Sequence, residues 1–252
     1  MFIDSHTHIH DKNGIDSDIQ IKNAKEVGVN LIINSFCNKE DKDLVLDYLE
    51  KYPSLYATVG YYPRYASKIK EKDILALEEL ILSHDRIIGI GEIGLDYYWY
   101  KDNKEAQKEL FKMQLALAEK LKVPVVIHCR EATADVYEIL KAYKVKGVMH
   151  CFSGSLEMAK KYIDLGFLLG ISGVLTFSNS KLGEVIKNVP IENIVLETDS
   201  PYLTPSPNRG QKNESKNIIH IAKKVASLKS LELSEVAKVT TLNIAKMFDL
   251  DF

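Results

Sequence analysis

Six residues of this 252-residue chain have the types and spacing of ligands for divalent cations: His6, His8, Glu92, His128, His150 and Asp199. The segment Asp4-Ser5-His6-Thr7-His8 places two histidines at i and i+2. On a strand that spacing puts both rings on one face, roughly 7 Å apart along the backbone and near enough to share an ion. A pair of core or surface histidines is the plainer alternative, and it weakens once His128 and His150 are found at equivalent places on other strands. Glu92 ends an apolar run, Gly89-Ile90-Gly91-Glu92-Ile93-Gly94, where an unpaired carboxylate would be costly to bury. Contact of its two oxygens with two ions would satisfy it and hold those ions roughly 3.5–4 Å apart. The alternative is an ion pair with Lys or Arg. The flanking glycines would let backbone or substrate come close. In Glu197-Thr198-Asp199-Ser200-Pro201, alternation puts Glu197 and Asp199 on one face with Asp199 nearer the rim. Asp199 is the candidate for ligating one ion and steering the proton of the attacking water, so Glu92 and Asp199 are the candidate catalytic residues. Four histidines and two carboxylates suit Zn²⁺, Mn²⁺, Fe²⁺ or Ni²⁺ and are less tuned to Mg²⁺ or Ca²⁺.

Residues so far apart in sequence must be gathered by regular elements. Short β-branched runs at 2–8, 29–36, 55–60, 87–92, 124–129, 147–151, 167–172 and 194–199 predict eight strands, separated by segments of helical spacing. The clearest stripe is Ala106, Leu110, Met113, Leu117 and Leu121, preceded by Asp102 and Glu105 in the pattern of a capping box. Ile218, Ile221, Val225 and Leu228 mark a helix after the eighth strand, and a last one is predicted over 234–248. Repeated strand–helix units imply a parallel sheet. An open dinucleotide-binding sheet is disfavoured because no G-x-G-x-x-G follows the first strand. The candidate ligands fall at the ends of strands one, four, five, six and eight, where a barrel keeps its active site. The expectation is therefore an α/β protein, a (β/α)₈ TIM barrel over residues 1–252 as a single domain, with an extra C-terminal helix.

The composition agrees with one globular domain: 46% hydrophobic and 27% charged residues, with no Pro/Gly/Ser-rich linker. A net charge of -2 argues against a protein that coats nucleic acid, although an enzyme could still grip one or two phosphates locally. Arginine is scarce, and Arg64, Arg130 and Arg209 all lie beside the motifs; each is a candidate phosphate contact, with a local carboxylate such as Glu131 or Glu214 as the alternative partner. Cys37, Cys129 and Cys151 suggest no disulfide framework, and the last two, each next to a candidate histidine, read as buried small apolar residues. His10, His84 and His220 are out of register with the set. Neither a signal sequence nor a membrane span is recognisable, so a cytoplasmic protein is expected.

The motifs, taken in order, resemble the TatD family of metal-dependent deoxyribonucleases among the amidohydrolase-like barrels. The resemblance rests on Asp4-Ser5-His6-Thr7-His8, Gly91-Glu92-Ile93-Gly94-Leu95-Asp96, His128-Cys129-Arg130, His150-Cys151-Phe152-Ser153-Gly154 and Glu197-Thr198-Asp199-Ser200-Pro201. It implies two cations per subunit (Zn, Mn, Mg, Ni or Fe), with His6, His8 and Asp199 on one, His128 and His150 on the other, and Glu92 between them. It also implies nuclease activity, usually from the 3′ end, with DNA bound transiently as substrate and neither a membrane nor an obligate protein partner involved. A related binuclear branch carries lysine where Glu92 stands. Two departures bear on substrate: Gly60-Tyr61-Tyr62-Pro63-Arg64 replaces the family's Gly-x-His-Pro-His, and Ser215 stands where a proline is usual. Tyr62 joins the three arginines as a candidate substrate contact.

Three functions follow for test. The first is phosphodiester hydrolysis by water activated between two ions. The second keeps the metals and cleaves an ester or amide, such as a mischarged aminoacyl-tRNA, and its support is the loss of both histidines at Tyr62 and Arg64. The third is a binding protein with a structural metal, which would need a closed ligand set.

Overall fold

The computed structural model describes residues 1–10 and 12–251. The predicted (β/α)₈ arrangement is the one observed. Its strands are β1 (Phe2–Thr7), β2 (Val29–Phe36), β3 (Leu55–Val59), β4 (Ile87–Asp96), β5 (Val125–Arg130), β6 (Gly147–Met149), β7 (Phe167–Ile171) and β8 (Ile194–Leu196). They form one eight-stranded sheet in sequence order, parallel wherever successive strands are registered. The helices are α1 (Ser17–Glu26), α2 (Lys42–Lys51), α3 (Glu71–Leu82), α4 (Lys104–Leu121), α5 (Thr133–Leu140), α6 (Leu156–Asp164), α7 (Leu182–Asn188), α8 (Ile218–Lys229) and the extra α9 (Leu233–Phe248). Among the described residues no helix is long and apolar enough to cross a membrane.

The chain divides into two compact units. One comprises Met1–Asn34, Cys151–Asp164 and Leu168–Phe252, and the other Ser35–His150 with Leu165–Phe167. In the first, α9 packs on β1 and β8, and its core includes Ile3, Ile32, Leu169, Val195, Ile244 and Phe248. Two backbone hydrogen bonds tie the ends of β1 and β8: Asp199 N donates to His6 O (3.0 Å) and His8 N to Ser200 O (2.7 Å).

In the second unit α4 packs along β4, but not with the face the apolar stripe predicts. Leu110 and Leu117 are buried, whereas Ala106, Met113 and Leu121 are only half-buried. The buried face turns towards Gln107, Phe111, Gln114 and Ala118. The two glutamines are tolerated there because their amides are satisfied by loop backbone. Gln107 Oε1 accepts from Asp96 N (2.8 Å), while Gln114 accepts from Tyr61 N (2.7 Å) and donates to Tyr61 O (3.1 Å). The expected capping box is also corrected. A 3₁₀ turn over Lys101–Asn103 precedes α4, Asn103 takes the cap position without a side-chain cap bond, and its Oδ1 accepts from Gln107 Nε2 instead.

Candidate metal-binding sites

Each unit assembles one set of candidate ligands. In the first, His6 and His8 emerge from the end of β1 and Asp199 follows β8. Strand β8 stops at Leu196, so alternation does not govern Glu197 and Asp199 as the sequence suggested. Asp199 instead adopts a left-handed backbone (φ 55°), a conformation aspartate tolerates better than most residues. His6 Nε2 lies 3.1 Å from His8 Nε2, and each is 3.6 Å from Asp199 Oδ1. A tetrahedral cation with ligands roughly 2.1 Å away holds them roughly 3.4 Å apart, so this triangle fits one. Behind it, the buried Asp4 carboxylate accepts from Thr198 N (2.8 Å) and Thr198 Oγ1 (2.6 Å), and Asn213 Nδ2 donates to Thr198 O (2.8 Å). Burial pushes the Asp4 carboxyl up to about 7, against the pull of those hydrogen bonds. Glu197, fully buried, accepts from Cys151 N (2.7 Å).

In the second unit the donor atoms of Glu92, His128 and His150 lie within 4.8 Å of one another. Glu92 Oε1 is 2.7 Å from His128 Nδ1 and 3.7 Å from His150 Nε2, and the two imidazoles stack at 6.3 Å. Strand β4 runs past Glu92 to Asp96, and glycine lets it do so against β5. A Cβ at Gly94 (φ +144°) would stand 2.0 Å from His128 O, so the close approach is to backbone. His150 follows the last residue of β6, and its backbone N–H donates to Ile127 O (3.0 Å).

What holds His128 is a residue that sequence reasoning passed over. Asp96 Oδ2 is 3.2 Å from His128 Nε2 and accepts from the Tyr62 hydroxyl (2.8 Å), which is itself 3.0 Å from Nε2. With Nε2 taken, Nδ1 is the nitrogen turned to Glu92; such a carboxylate partner fixes ring and tautomer. Burial opposes charge on His128, but the Asp96 and Glu92 hydrogen bonds outweigh it and raise its pKa. Burial likewise works against the Asp96 carboxylate, and His128, the Trp99 amide and Tyr62 bring its pKa below the usual range. Burial and the charges of Glu92 and Asp96 push the Tyr62 phenol well up, so it keeps its proton and donates. The available signal was spacing: Asp96 sits four residues after Glu92 on the same strand.

The remaining candidates are placed as follows. The exposed Arg64 donates to Asn38 Oδ1 (2.8 Å) and to the Tyr65 hydroxyl (2.5 Å). Arg130 lies over the rings of Tyr98 (4.2 Å) and Trp99 (5.4 Å). Arg209 donates to Thr204 O (2.9 Å) over the Phe177 ring. Cys37 is buried, 4.0 Å from Glu92 Oε2. Cys129 and Cys151 are only partly buried, contrary to expectation, and each thiol meets a hydroxyl: Thr133 on α5 and Ser172 respectively.

A family model described as TatD related DNase matches residues 3–249. An uncharacterized metal-dependent hydrolase of Bacillus subtilis, YabD, is 37% identical over the whole of both chains. Two crystal structures are also similar. One is that of YjjV, a TatD homologue from Escherichia coli (TM-score 0.92, 28% identity, 99% of this chain and 98% of that one). The other is a TatD family hydrolase from Entamoeba histolytica (TM-score 0.88, 26% identity, 98% and 97%).

Proposed function

The chain belongs to the TatD family of metal-dependent hydrolases, and from that premise we propose that it cleaves phosphodiesters of DNA, from the 3′ end, on two divalent cations. The observation that carries this reading is the second ligand set: one carboxylate and two imidazoles converge, with His128 locked by Asp96 so that Nδ1 faces Glu92. On motif order and family, His6, His8 and Asp199 would hold one cation and His128 and His150 the other, with Glu92 available to both. Cations bound there supply Lewis acidity towards water and the phosphoryl group. Asp199 accepts the proton of the attacking water. Arg64, Arg130 and Arg209 meet substrate phosphates with guanidinium donors beyond those described above, since each guanidinium carries five. Tyr62, its hydroxyl on Asp96 and His128, contributes by holding His128 and by lining the way in. The family match runs across both units, which supports reading residues 1–252 as one domain.

One observation favours a second reading. Tyr62 and Arg64 are turned onto neighbouring side chains where the family's histidines would stand, which leaves room for an ester or amide such as an aminoacyl-tRNA. A single assay separates the two: 3′-labelled single-stranded DNA, aminoacyl-tRNA and a neutral ester, each with Mn²⁺ or Zn²⁺ and with chelator. Stepwise metal-dependent shortening of the DNA is expected. Turnover of the ester or acyl-tRNA with intact DNA would replace the nuclease reading.

A further inference from the structure

Between β4 and α4 the chain reads Tyr97-Tyr98-Trp99-Tyr100, and the four rings have different fates. Tyr97 is buried with its hydroxyl on Asp135 (2.7 Å), and Tyr100 packs edge-on against Tyr62 at 6.3 Å. Tyr98 and Trp99 stay in solvent, 40% and 63% exposed, edge to face at 4.7 Å. The two rings touch each other, so they form a local aromatic patch rather than lone exposed side chains. Nor is the loop loose. Asp96 Oδ1 accepts from the backbone N–H groups of Tyr98 (3.0 Å) and Trp99 (2.8 Å), while its Oδ2 serves His128 and Tyr62. One carboxylate therefore holds both the backbone that carries the exposed rings and the orientation of a candidate metal ligand. Arg130, which leaves the end of β5 beside His128 and Cys129, brings a cation to the same two rings.

We propose that Tyr98, Trp99 and Arg130 form a base-stacking subsite for an unpaired nucleobase next to the scissile phosphodiester. This rests on the phosphodiesterase reading and names its substrate class: single-stranded or frayed nucleic acid. Exposed aromatic faces stack any base, whatever the sequence, and an adjacent arginine adds cation–π attraction and a phosphate contact. Bases inside a duplex offer no free face, so a paired strand cannot use the subsite.

Trp99 is the only tryptophan of the chain, so emission excited at the red edge, where the thirteen tyrosines do not absorb, reports on this position alone. The full-length protein, kept in chelator so that nothing turns over, is titrated with short single-stranded oligothymidylate and with an equally long abasic strand. Oligothymidylate should quench Trp99 emission and bind several-fold more tightly than the abasic strand. By anisotropy of a labelled strand, Trp99→Ala should weaken oligothymidylate binding roughly five- to a hundredfold, Trp99→Phe should weaken it less, and neither should change abasic binding. Equal affinity for the two strands, or an unchanged Kd for Trp99→Ala, would overturn the subsite. Hydrolysis is measured separately on metal-loaded protein, where Trp99→Ala should raise KM on single-stranded DNA and leave kcat near wild type. Base-dependent binding without DNA cleavage would remove the phosphodiesterase reading and keep the subsite. Cleavage with KM unchanged in Trp99→Ala would do the reverse.

Discussion

The His6–His8–Asp199 set and the Glu92–His128–His150 set hold similar donor atoms by different means. The first is templated by backbone. Two ligands stand at the end of one strand, His6 within β1 and His8 just beyond it, and the third is brought to them by hydrogen bonds between the ends of β1 and β8, with Asp199 paying about 1–3 kcal/mol of left-handed strain. The second is templated by side chains: Gln107 and Gln114 on α4 fix the backbone at Asp96 and Tyr61, and Asp96 and Tyr62 then fix the His128 ring. The lesson is that substitutions of residues that are not themselves ligands should damage the second set far more than the first.

Asp96→Asn should have the largest effect. The new amide would offer an N–H to His128 Nε2, which must then accept, so the ring proton moves to Nδ1 and blocks the atom facing Glu92. Affinity of this set for Mn²⁺ or Zn²⁺ should fall about 10–100-fold, read by calorimetric titration. In the first set, Asp4→Asn keeps an oxygen for the Thr198 N–H and should cost that set several-fold less; equal losses from the two variants would erase the comparison. Next comes Tyr62→Phe. It removes one supporting hydrogen bond but leaves Asp96 on His128, so affinity should drop by about three- to tenfold, the scale of one ordinary hydrogen bond. An unchanged affinity would assign Tyr62 to substrate contact alone.

The prediction with no expected effect on either ligand set concerns stability and pH. In the second unit Lys42 sits at the start of α2 with its ammonium 4.0 Å from the Tyr61 ring centre, and burial pulls its pKa from 10.5 down to about 8. Because the folded value is the lower one, the unfolded chain binds more protons between about pH 8 and 10.5. Folding stability should therefore rise across that window, on the order of 1–3 kcal/mol from this group. Denaturant melts should show the rise in wild type and lose it in Lys42→Met. A parallel pH profile in the variant would mean that the ammonium is not desolvated.

This difference in construction also decided what could be read from the sequence. His6 and His8 were legible because a period of two is enough to put them on one face, and the ends of eight apolar runs located Glu92, His128, His150 and Asp199. The barrel followed from the same alternation of runs. Asp96 was hidden inside a recognised motif: its spacing from Glu92 puts it on the same strand, but nothing in the sequence says which His128 nitrogen it meets. Gln107 and Gln114 broke the α4 stripe for a related reason: their burial is compensated by loop backbone that pattern reasoning treats as featureless. Helix α4 likewise begins at Lys104 because local turn bonding at Asn103 outcompeted the expected box.

The central claim is that the two sets each hold one ion, and elemental analysis tests it most directly. Protein reconstituted with Mn²⁺ or Zn²⁺ should carry close to two ions per chain, His8→Ala close to one, and His128→Ala close to one, with the double variant near none. A wild-type chain that binds a single ion, or a His128→Ala variant that still binds two, would contradict the account.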